Sequence, residues 1–349
     1  MADSQTRNAK NPALFDVVGI GNAIVDVIAH ADEDFLTRNE LTKGAMTLID
    51  APRAEALYGR MASAIEASGG SAANTMAGLA SLGGRAAFIG KVRNDQLGGI
   101  FRHDIHAAGV HFESEPATAG LPTARCLIFV TPDAQRTMQT FLGASVDLGP
   151  DDVDESLISD AAVTYLEGYL WDKPQAKEAF QRAARIAHAA GRKVSLTLSD
   201  PFCVDRHRAD FRKLIEGHVD VLFANEAEIK SLYQTDDFDA ALALVRNSCE
   251  VAVLTRSEKG AVVASNDRLH TVPAAPVARV VDTTGAGDLY AAGFLFGYTR
   301  GLPLDLCSKI GAVAAAEIIS HYGARPAVKL ADLVTTKLGP LPVAARAAE

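Results

Sequence analysis

Residues 282–294 read DTTGAGDLYAAGF and form the most informative segment of the chain. Three small residues, Gly285, Ala286 and Gly287, precede a helical apolar pattern, which predicts a helix N-terminus at this point. Glycine there lets backbone N–H groups approach an anion closely, and the helix dipole favours negative charge. Asp288 then falls in the first turn, where its carboxylate can take a proton from an attacking hydroxyl. The alternative is a tight turn in which Asp288 is only a helix cap.

Strand-like and helical segments alternate along most of the remaining chain. Short β-branched or apolar runs lie at 15–20, 86–89, 163–166, 193–198, 219–223 and 251–255. This alternation predicts an α/β fold with a mainly parallel central sheet and helices on both faces. Residues 26–50 and 111–142 instead have the pattern of short strands joined by turns, which favours a small β-sheet lid. We expect one domain over residues 13–340 after a flexible tail at 1–12.

The composition indicates a globular protein with an acidic surface. The 349 residues include 34 Lys and Arg against 43 Asp and Glu, giving a formal net charge of -9. A surface of this sign repels phosphate backbones and argues against nucleic-acid binding. The four cysteines are far apart, and no run of about 18 apolar residues exists. Residues 1–12 carry no apolar leader, so we expect a cytoplasmic protein with reduced thiols and no membrane partner.

Two groups of small and polar residues precede the GAGD segment. The pair Gly69 and Gly70 opens a helical pattern, and Asn74 in that pattern can donate and accept hydrogen bonds at once, which suits a vicinal diol. Asn22 and Asp26 follow the first strand, where an amide and a carboxylate can hold two hydroxyls. Each group also fits a structural role, as a capped glycine loop in one case and a turn with a solvated acid in the other.

A further group is Asn225 with Glu228, directly after the strand-like run at 219–223. Acidic residues at the carboxyl edge of a sheet can hold Mg²⁺ through water. The same pair has the spacing of a capping box, with Asn225 as the N-cap and Glu228 three residues later. Spacing alone leaves both interpretations open.

In this order, the four groups resemble the ribokinase/PfkB family of carbohydrate kinases, most closely its adenosine kinase branch. The similarity extends from Phe15 to Pro326, and its most specific part is the Gly-Ala-Gly-Asp signature at 285–288. It implies a ribokinase-like fold in which Asp288 is the catalytic base. It also implies that the amides of residues 285–287 form an anion hole, and that Arg136 on the lid closes over the phosphates.

The resemblance implies roles for the other site residues as well. Substrate-side residues are Asn22, Asp26, Gly69, Gly70 and Asn74 around the ribose, Met46 and Leu48 on the lid side of the base, and Tyr169 and Leu170 opposite. ATP-side residues are Asn225, Thr255, Gly260, Thr284, Gly285 and Gly287. Metal-site residues are Asn225 and Glu228 for Mg²⁺ through water, and backbone oxygens near Asp282, Thr284 and Gly323 for K⁺.

The expected activity is that of an ATP-dependent nucleoside kinase, which converts adenosine and ATP to AMP and ADP with Mg²⁺. Alternative acceptors are inosine, guanosine, ribose or fructose, and a different class of protein would be a nucleoside binder without activity. The sequence departs from the family pattern at Ser257, where the ATP loop often has glycine, and at Leu170, where an aromatic residue is common. The resemblance implies a monomer or a homodimer, and the sequence does not decide between them.

Overall fold

The computed structural model describes residues 12–133, 135–265 and 268–342. The predicted tail therefore lies outside the described residues, apart from Pro12. In chain order the strands are β1 (Phe15–Ile20), β2 (Ile24–His30), β3 (Met46–Leu48), β4 (Ala64–Gly69), β5 (Ala86–Ile89), β6 (Val110–His111), β7 (Ala124–Val130), β8 (Arg136–Phe141), β9 (Ala161–Glu167), β10 (Lys193–Thr197), β11 (Val221–Asn225), β12 (Val251–Thr255), β13 (Ala261–Ser265) and β14 (Arg268–Val272).

The helices alternate with these strands. In chain order they are α1 (Glu33–Arg38), α2 (Ala51–Tyr58), α3 (Ser71–Ser81), α4 (Gln96–Ala107), α5 (Glu155–Ser159), α6 (Pro174–Ala189), α7 (Pro201–His218), α8 (Glu226–Tyr233), α9 (Phe238–Val245), α10 (Ala286–Tyr298), α11 (Leu304–Ile318) and α12 (Leu330–Leu338). Within the described ranges, no helix is both long enough and apolar enough to cross a bilayer.

The large sheet has nine strands in the order β14-β13-β12-β11-β10-β9-β1-β5-β6. Seven of them, from β12 to β6, run parallel, and β13 and β14 continue the edge as antiparallel strands. Successive residues of β1 point into different cores, because Val17 belongs to the core that contains residues of α3, α10 and α11, whereas Val18 belongs to the core that contains residues of α6 and α7. Burial on both faces explains the continuous apolar strands. The predicted α/β fold class is confirmed.

The small sheet has five strands in the order β3-β8-β7-β2-β4. Strand β2 of this sheet alternates strictly, with Val25, Val27 and Ala29 buried, the first two in the main core. The intervening side chains of Ile24 and Asp26 line a cavity on the other face. Alternation of this kind places an apolar strand over the main core while its second face stays available for a ligand.

Some elements differ from the sequence-based expectation. The lid segments 26–50 and 111–142 account for β3, β7, β8 and most of β2, but the fifth lid strand, β4, was not predicted. Helix α1 interrupts the first lid segment, and its N-cap Asp32 accepts a hydrogen bond from the Phe35 N–H. Helix α7 was also missed, although Asp200 as N-cap and Pro201 at the first position are standard start signals.

Candidate active site

A cavity of about 1180 Å³ lies between the carboxyl ends of the parallel strands and the inner face of the small sheet. Its wall includes residues from β2, β7 and β8 of the lid, from the ends of β10–β12, and from the N-terminal turns of α3 and α10. Open α/β sheets bind ligands at this edge because loops and helix N-termini converge there. The same cavity contains most residues predicted from the four sequence groups.

Asp288 lies on the cavity wall in the first turn of α10, as the sequence predicts. The N-cap of this helix, Gly285, has a φ of 79°, a conformation that favours glycine. The Asp288 carboxylate accepts hydrogen bonds from Ser71 Oγ at 2.6 Å and from Asn74 Nδ2 at 3.1 Å. Burial raises the pKa of Asp288 above its ordinary value, and the two hydrogen bonds oppose that shift.

Ala286 and Gly287 of the predicted anion hole have different surroundings. The Ala286 N–H donates to the Thr283 carbonyl oxygen at 3.2 Å, so it is already engaged. A Cβ atom placed on Gly287 would point into open space, and Gly287 lines the cavity. The loop therefore leaves room for an anion against its backbone beside Asp288.

The glycine pair permits a close approach between the lid and α3. Gly70, the N-cap of α3, has a φ of 94°, and a Cβ atom there would lie 2.2 Å from the Asn22 carbonyl oxygen. A Cβ atom on Gly69 would lie 2.5 Å from Asp26 Oδ2. Both positions therefore require glycine. Because glycine has no side chain, Asp26 can lie close to the start of α3, the helix that carries Ser71.

Asp26 lines the cavity from β2, next to Cys126 of β7 in the sheet register. Burial raises the pKa of Asp26 to about 6, and the positive charges of Arg325 and Arg136 oppose this shift. The negative charge of Asp288 adds to the increase. Two carboxylates thus share one cavity wall, and Asn74, whose Oδ1 atom is buried without a hydrogen-bond partner among the described residues, lies beside them.

Asn22, the remaining residue of the predicted ribose site, is not part of the cavity wall. It is buried, and its Nδ2 donates to Glu167 Oε1 at 2.6 Å while its Oδ1 accepts from Ser145 Oγ at 2.9 Å. Both ends of the amide are therefore used inside the protein. The structure gives Asn22 a supporting position beneath the site, instead of bringing it to the ligand.

Glu167 is a buried carboxyl that sequence reasoning missed. Its Oε2 accepts from the Ala72 N–H at 2.8 Å at the start of α3, and burial raises its pKa to about 7. A Cβ atom on Gly21 would lie 2.3 Å from the same oxygen. The available signal was an acidic residue ending the apolar strand β9.

The predicted lid-side base residues, Met46 and Leu48, lie away from the cavity. Their exposed fractions are 46% and 53%, and neither belongs to the cavity wall. They occupy the edge strand β3, which pairs with β8. The apolar side chains that do line the cavity from the lid are Ile24, Cys126, Ile128 and Met138.

The two residues predicted opposite the lid have different environments. Tyr169 lines the cavity, and its N–H donates to Ser199 Oγ at 3.1 Å. Leu170 is 2% exposed and packs in the core on the other side of the large sheet. Tyr169 is therefore placed to contact a ligand, whereas Leu170 supports the core.

All six predicted ATP-side residues line the cavity. They are Asn225, Thr255, Gly260, Thr284, Gly285 and Gly287. Gly260 has a φ of 85°, and a Cβ atom there would lie 2.1 Å from the Val272 carbonyl oxygen. The wall on this side also includes the polar residues Ser257 and Glu258 and an apolar surface formed by Val272, Pro273, Ala312, Ala315 and Ile319. Such a surface suits the flat ring of a nucleotide base.

Asn225 and Glu228 form the capping box that the spacing allowed. Glu228 Oε2 accepts from the Asn225 N–H at 2.9 Å, and the Glu228 N–H donates to Asn225 Oδ1 at 2.9 Å. Burial raises the pKa of Glu228 to about 7. The described residues contain no cluster of three or more His, Cys, Asp or Glu side chains that could hold a metal directly. Glu228 still lines the cavity, so it fits a water-mediated contact with a phosphate-bound Mg²⁺.

The predicted K⁺ region contains Asp282, whose carboxylate is fully engaged. Its Oδ1 accepts from the N–H and Oγ1 of Thr284, and its Oδ2 accepts from the Gly323 N–H at 3.2 Å. Arg136 Nη1 lies 2.8 Å from the same Oδ2. A guanidinium therefore pairs with the Asp282 side chain, and K⁺ binding by the backbone oxygens near Asp282, Thr284 and Gly323 stays a prediction.

Comparison with known proteins shows the family to which this chain belongs. Residues 45–330 match the family described as pfkB family carbohydrate kinase. The chain belongs to that family, whose members are phosphotransferases with an alcohol group as acceptor. A kinase of this family implies ATP as co-substrate.

Solved structures similar to this chain include both nucleoside and sugar kinases. An adenosine kinase from Sinorhizobium meliloti is 56% identical with a TM-score of 0.86, covering 92% of this chain and 99% of that one. A "probable sugar kinase protein" from Rhizobium etli is 54% identical with a TM-score of 0.87, covering 93% and 98%. Anopheles gambiae adenosine kinase in complex with P1,P4-di(adenosine-5) tetraphosphate is 26% identical with a TM-score of 0.76, covering 88% and 96%.

Proposed function

We propose that this protein transfers the terminal phosphoryl group of ATP to the 5′-hydroxyl of a nucleoside, with adenosine as the acceptor. The observation that carries the proposal is the position of Asp288. Its carboxylate lies where the wall formed by Asp26, Gly70 and Asn74 meets the loop of Gly285–Gly287. A hydroxyl held on one side and a phosphoryl group held on the other would meet beside this carboxylate.

The size of the cavity supports two ligands bound at once. Sites for a single small molecule enclose about 300–1,000 Å³, and this cavity encloses about 1180 Å³. One end is bounded by the lid and the other by the apolar surface near Val272 and Ile319. We infer that the acceptor binds under the lid and that ATP binds at the second end.

The lid end has the chemistry that a nucleoside needs. Asp26 and the unpartnered Asn74 Oδ1 supply acceptors for ribose hydroxyls, while Ile24, Ile128 and Met138 supply an apolar surface for the base. A bare sugar would leave that apolar surface without a partner. The adenosine kinase relatives that resemble this chain, one of them in complex with a ligand carrying two adenosines, agree with this assignment.

In the proposed reaction the residues of the chain position the reactants and hold the transferred proton. Asp288 accepts the hydroxyl proton as that oxygen bonds to phosphorus, and Ser71 and Asn74 fix the orientation of its carboxylate. The start of α10 stabilises the negative charge of the phosphoryl group. Bound Mg²⁺ would neutralise phosphate charge, with Glu228 holding its water ligands. The lid excludes water, which would otherwise compete as acceptor.

A sugar acceptor is the second candidate, since the similar structure from Rhizobium etli is named a "probable sugar kinase protein". The two proposals differ in what fills the apolar lid surface. They share the fold, the donor and the role of Asp288.

The deciding experiment measures ADP release from ATP and Mg²⁺ with adenosine, inosine, guanosine, ribose and fructose as acceptors. We expect the highest kcat/KM for adenosine and the appearance of AMP. The matched control is Asp288→Asn prepared in parallel, which should lose about 10³-fold in kcat while binding adenosine within severalfold of wild type. A higher kcat/KM for a sugar would replace the nucleoside proposal, and turnover retained by Asp288→Asn would refute the assigned base.

A further inference from the structure

Arg325 is a half-buried arginine in the segment between α11 and α12, and none of the roles above uses it. Its guanidinium makes three hydrogen bonds to one stretch of chain. Nε donates to the Ser68 carbonyl oxygen at 3.1 Å, Nη2 to Ser68 Oγ at 2.8 Å, and Nη1 to the Ala73 carbonyl oxygen at 2.6 Å. A single side chain therefore forms hydrogen bonds with both ends of the segment 68–73.

The segment 68–73 contains the glycine pair, and it includes or adjoins the two residues that donate hydrogen bonds to Asp288. Gly69 and Gly70 lie between the two attachment points, and Ser71 and Asn74 are the donors to the Asp288 carboxylate. Any rotation of the first turn of α3 would move both donors together. Arg325 thus fixes the frame on which the proposed base is oriented.

A second set of hydrogen bonds anchors this frame from α4. Asp104 Oδ2 accepts from the Ser68 N–H at 2.7 Å and from Ser68 Oγ at 2.5 Å. Ser68 is therefore held between the carboxylate of Asp104 and the guanidinium of Arg325. Buried networks in which each member is satisfied define a unique geometry more strongly than isolated contacts do.

The charge of Arg325 also acts on the reactive end of the cavity. It lowers the pKa of Asp26 and of Asp288, opposing the increase that burial causes in each. Asp26, Asp104 and Asp288 in turn favour the charged form of Arg325, although burial lowers the pKa of the arginine. The guanidinium is thus a fixed positive charge beside two carboxylates that must stay ionised to accept hydrogen bonds or a proton.

We propose that Arg325 is a positioning residue for phosphoryl transfer, which locks residues 68–74 so that Ser71 and Asn74 hold the Asp288 carboxylate toward the acceptor hydroxyl. This inference rests on the proposed role of Asp288 as the base. It predicts that Arg325 acts mainly on the chemical step, because it contacts neither the ATP end of the cavity nor the apolar lid surface.

The test is Arg325→Gln in the full chain, with kcat and both KM values measured by ADP release. We expect kcat to fall about 100-fold, the loss typical of a small misplacement of a reacting group, with the KM for ATP within about twofold of wild type. Arg325→Lys keeps the charge and one donor group and should recover part of the loss. The matched control is Arg300→Gln, which breaks an ion pair with Asp16 at the start of β1, far from the site.

A kcat within twofold of wild type in folded Arg325→Gln would overturn the inference, as would an equal loss of kcat in Arg300→Gln. Should Arg325→Gln fail to fold, Ser68→Ala removes the shared hydroxyl and should lower kcat severalfold with the KM for ATP unchanged; an unchanged kcat would also overturn it. Failure of the proposed function is distinguishable, because wild type would then be inactive on the whole acceptor panel or Asp288→Asn would stay active.

Discussion

Arg136 of the lid strand β8 forms an ion pair with Asp282, with 2.8 Å between Nη1 and Oδ2, in the loop that precedes α10. The exposed fractions of the two side chains are 8% and 7%. The Nε and Nη2 atoms of Arg136 are buried without a hydrogen-bond partner among the described residues. This contact joins the lid to the anion loop, but Arg136 is not part of the cavity wall, so its closure over the phosphates stays a prediction.

The first prediction concerns the strength of this connection. Arg136→Gln and Asp282→Asn should each lower the free energy of unfolding, because each leaves the other charge buried without its partner, at a cost of about 3–5 kcal/mol. The double variant should be less destabilised than the sum of the two, with a coupling of about 1–3 kcal/mol. Urea unfolding of the four proteins measures this. Additive effects would show that the ion pair does not hold the lid.

The second prediction concerns Asp26. Asp26→Ala should raise the KM for adenosine roughly 10- to 100-fold, because charge-assisted hydrogen bonds contribute about 1.5–3 kcal/mol. The KM for ATP should stay near the wild-type value, since Asp26 lines the lid end of the cavity. Steady-state kinetics with each substrate varied in turn gives both values. An unchanged KM for adenosine would refute the ribose role of Asp26.

The third prediction separates two methionines that are direct neighbours in the lid sheet. Met138 lines the cavity, whereas Met46, opposite it in the β3–β8 register, is 46% exposed. Met138→Ala should raise the KM for adenosine about tenfold, since removing a buried apolar side chain costs about 1.5–3 kcal/mol of burial when the base covers it. Met46→Ala is the matched control and should leave the KM unchanged. The reverse result would return the base pocket to β3.

The fourth prediction uses the raised pKa of Glu167. With a pKa of about 7 in the folded protein against an ordinary value of 4.5, the native state binds more protons than the unfolded chain between those values. The contribution of Glu167 to the free energy of unfolding is therefore largest at low pH and falls as the pH rises through this window. Glu167→Gln removes the titration, so the decrease between pH 5 and 8 should shrink by roughly 3 kcal/mol.

The measurement is urea unfolding of wild type and Glu167→Gln at several pH values from 5 to 8. Glu178→Gln, at an exposed position of α6, is the control and should reproduce the wild-type pH dependence. An identical pH dependence in Glu167→Gln and wild type would show that Glu167 titrates normally. Gln at position 167 also loses hydrogen-bond acceptors for Asn22 and Ala72. The two proteins are therefore compared by how their free energy of unfolding changes with pH.

Local sequence features were sufficient for the centre of the site. Gly285 and Asp288 were predicted at the start of a helix because glycine, helical spacing and a first-turn carboxylate are signals contained within a few residues. The capping box of Asn225 and Glu228 was recognised for the same reason. The α/β class followed from the alternation of strand-like and helical segments, which is typical of a parallel sheet covered on both faces.

Features that depend on distant partners could not be predicted. The contact of Glu167 with Ala72 spans 95 positions in the sequence, and that of Arg325 with Ser68 spans 257. An acidic residue at the end of an apolar strand is the local signal at Glu167, but no local pattern identifies the distant partner of either residue. The strand β4, which carries Ser68 near its end, was missed because only two of its six residues are buried and its apolar pattern is weak.

The amino-acid sequence by itself determined the parallel sheet, the glycine-led helix start and the acid within its first turn, because backbone sterics and hydrogen bonding set these over a few residues. The position of β3 at the edge of the lid sheet decided that Met46 stays exposed, whereas Met138 on the neighbouring strand lines the cavity. Packing between remote segments decided that Asn22 supports Glu167 and that Arg136 pairs with Asp282. Such contacts depend on the relative placement of whole elements, which only the folded chain fixes.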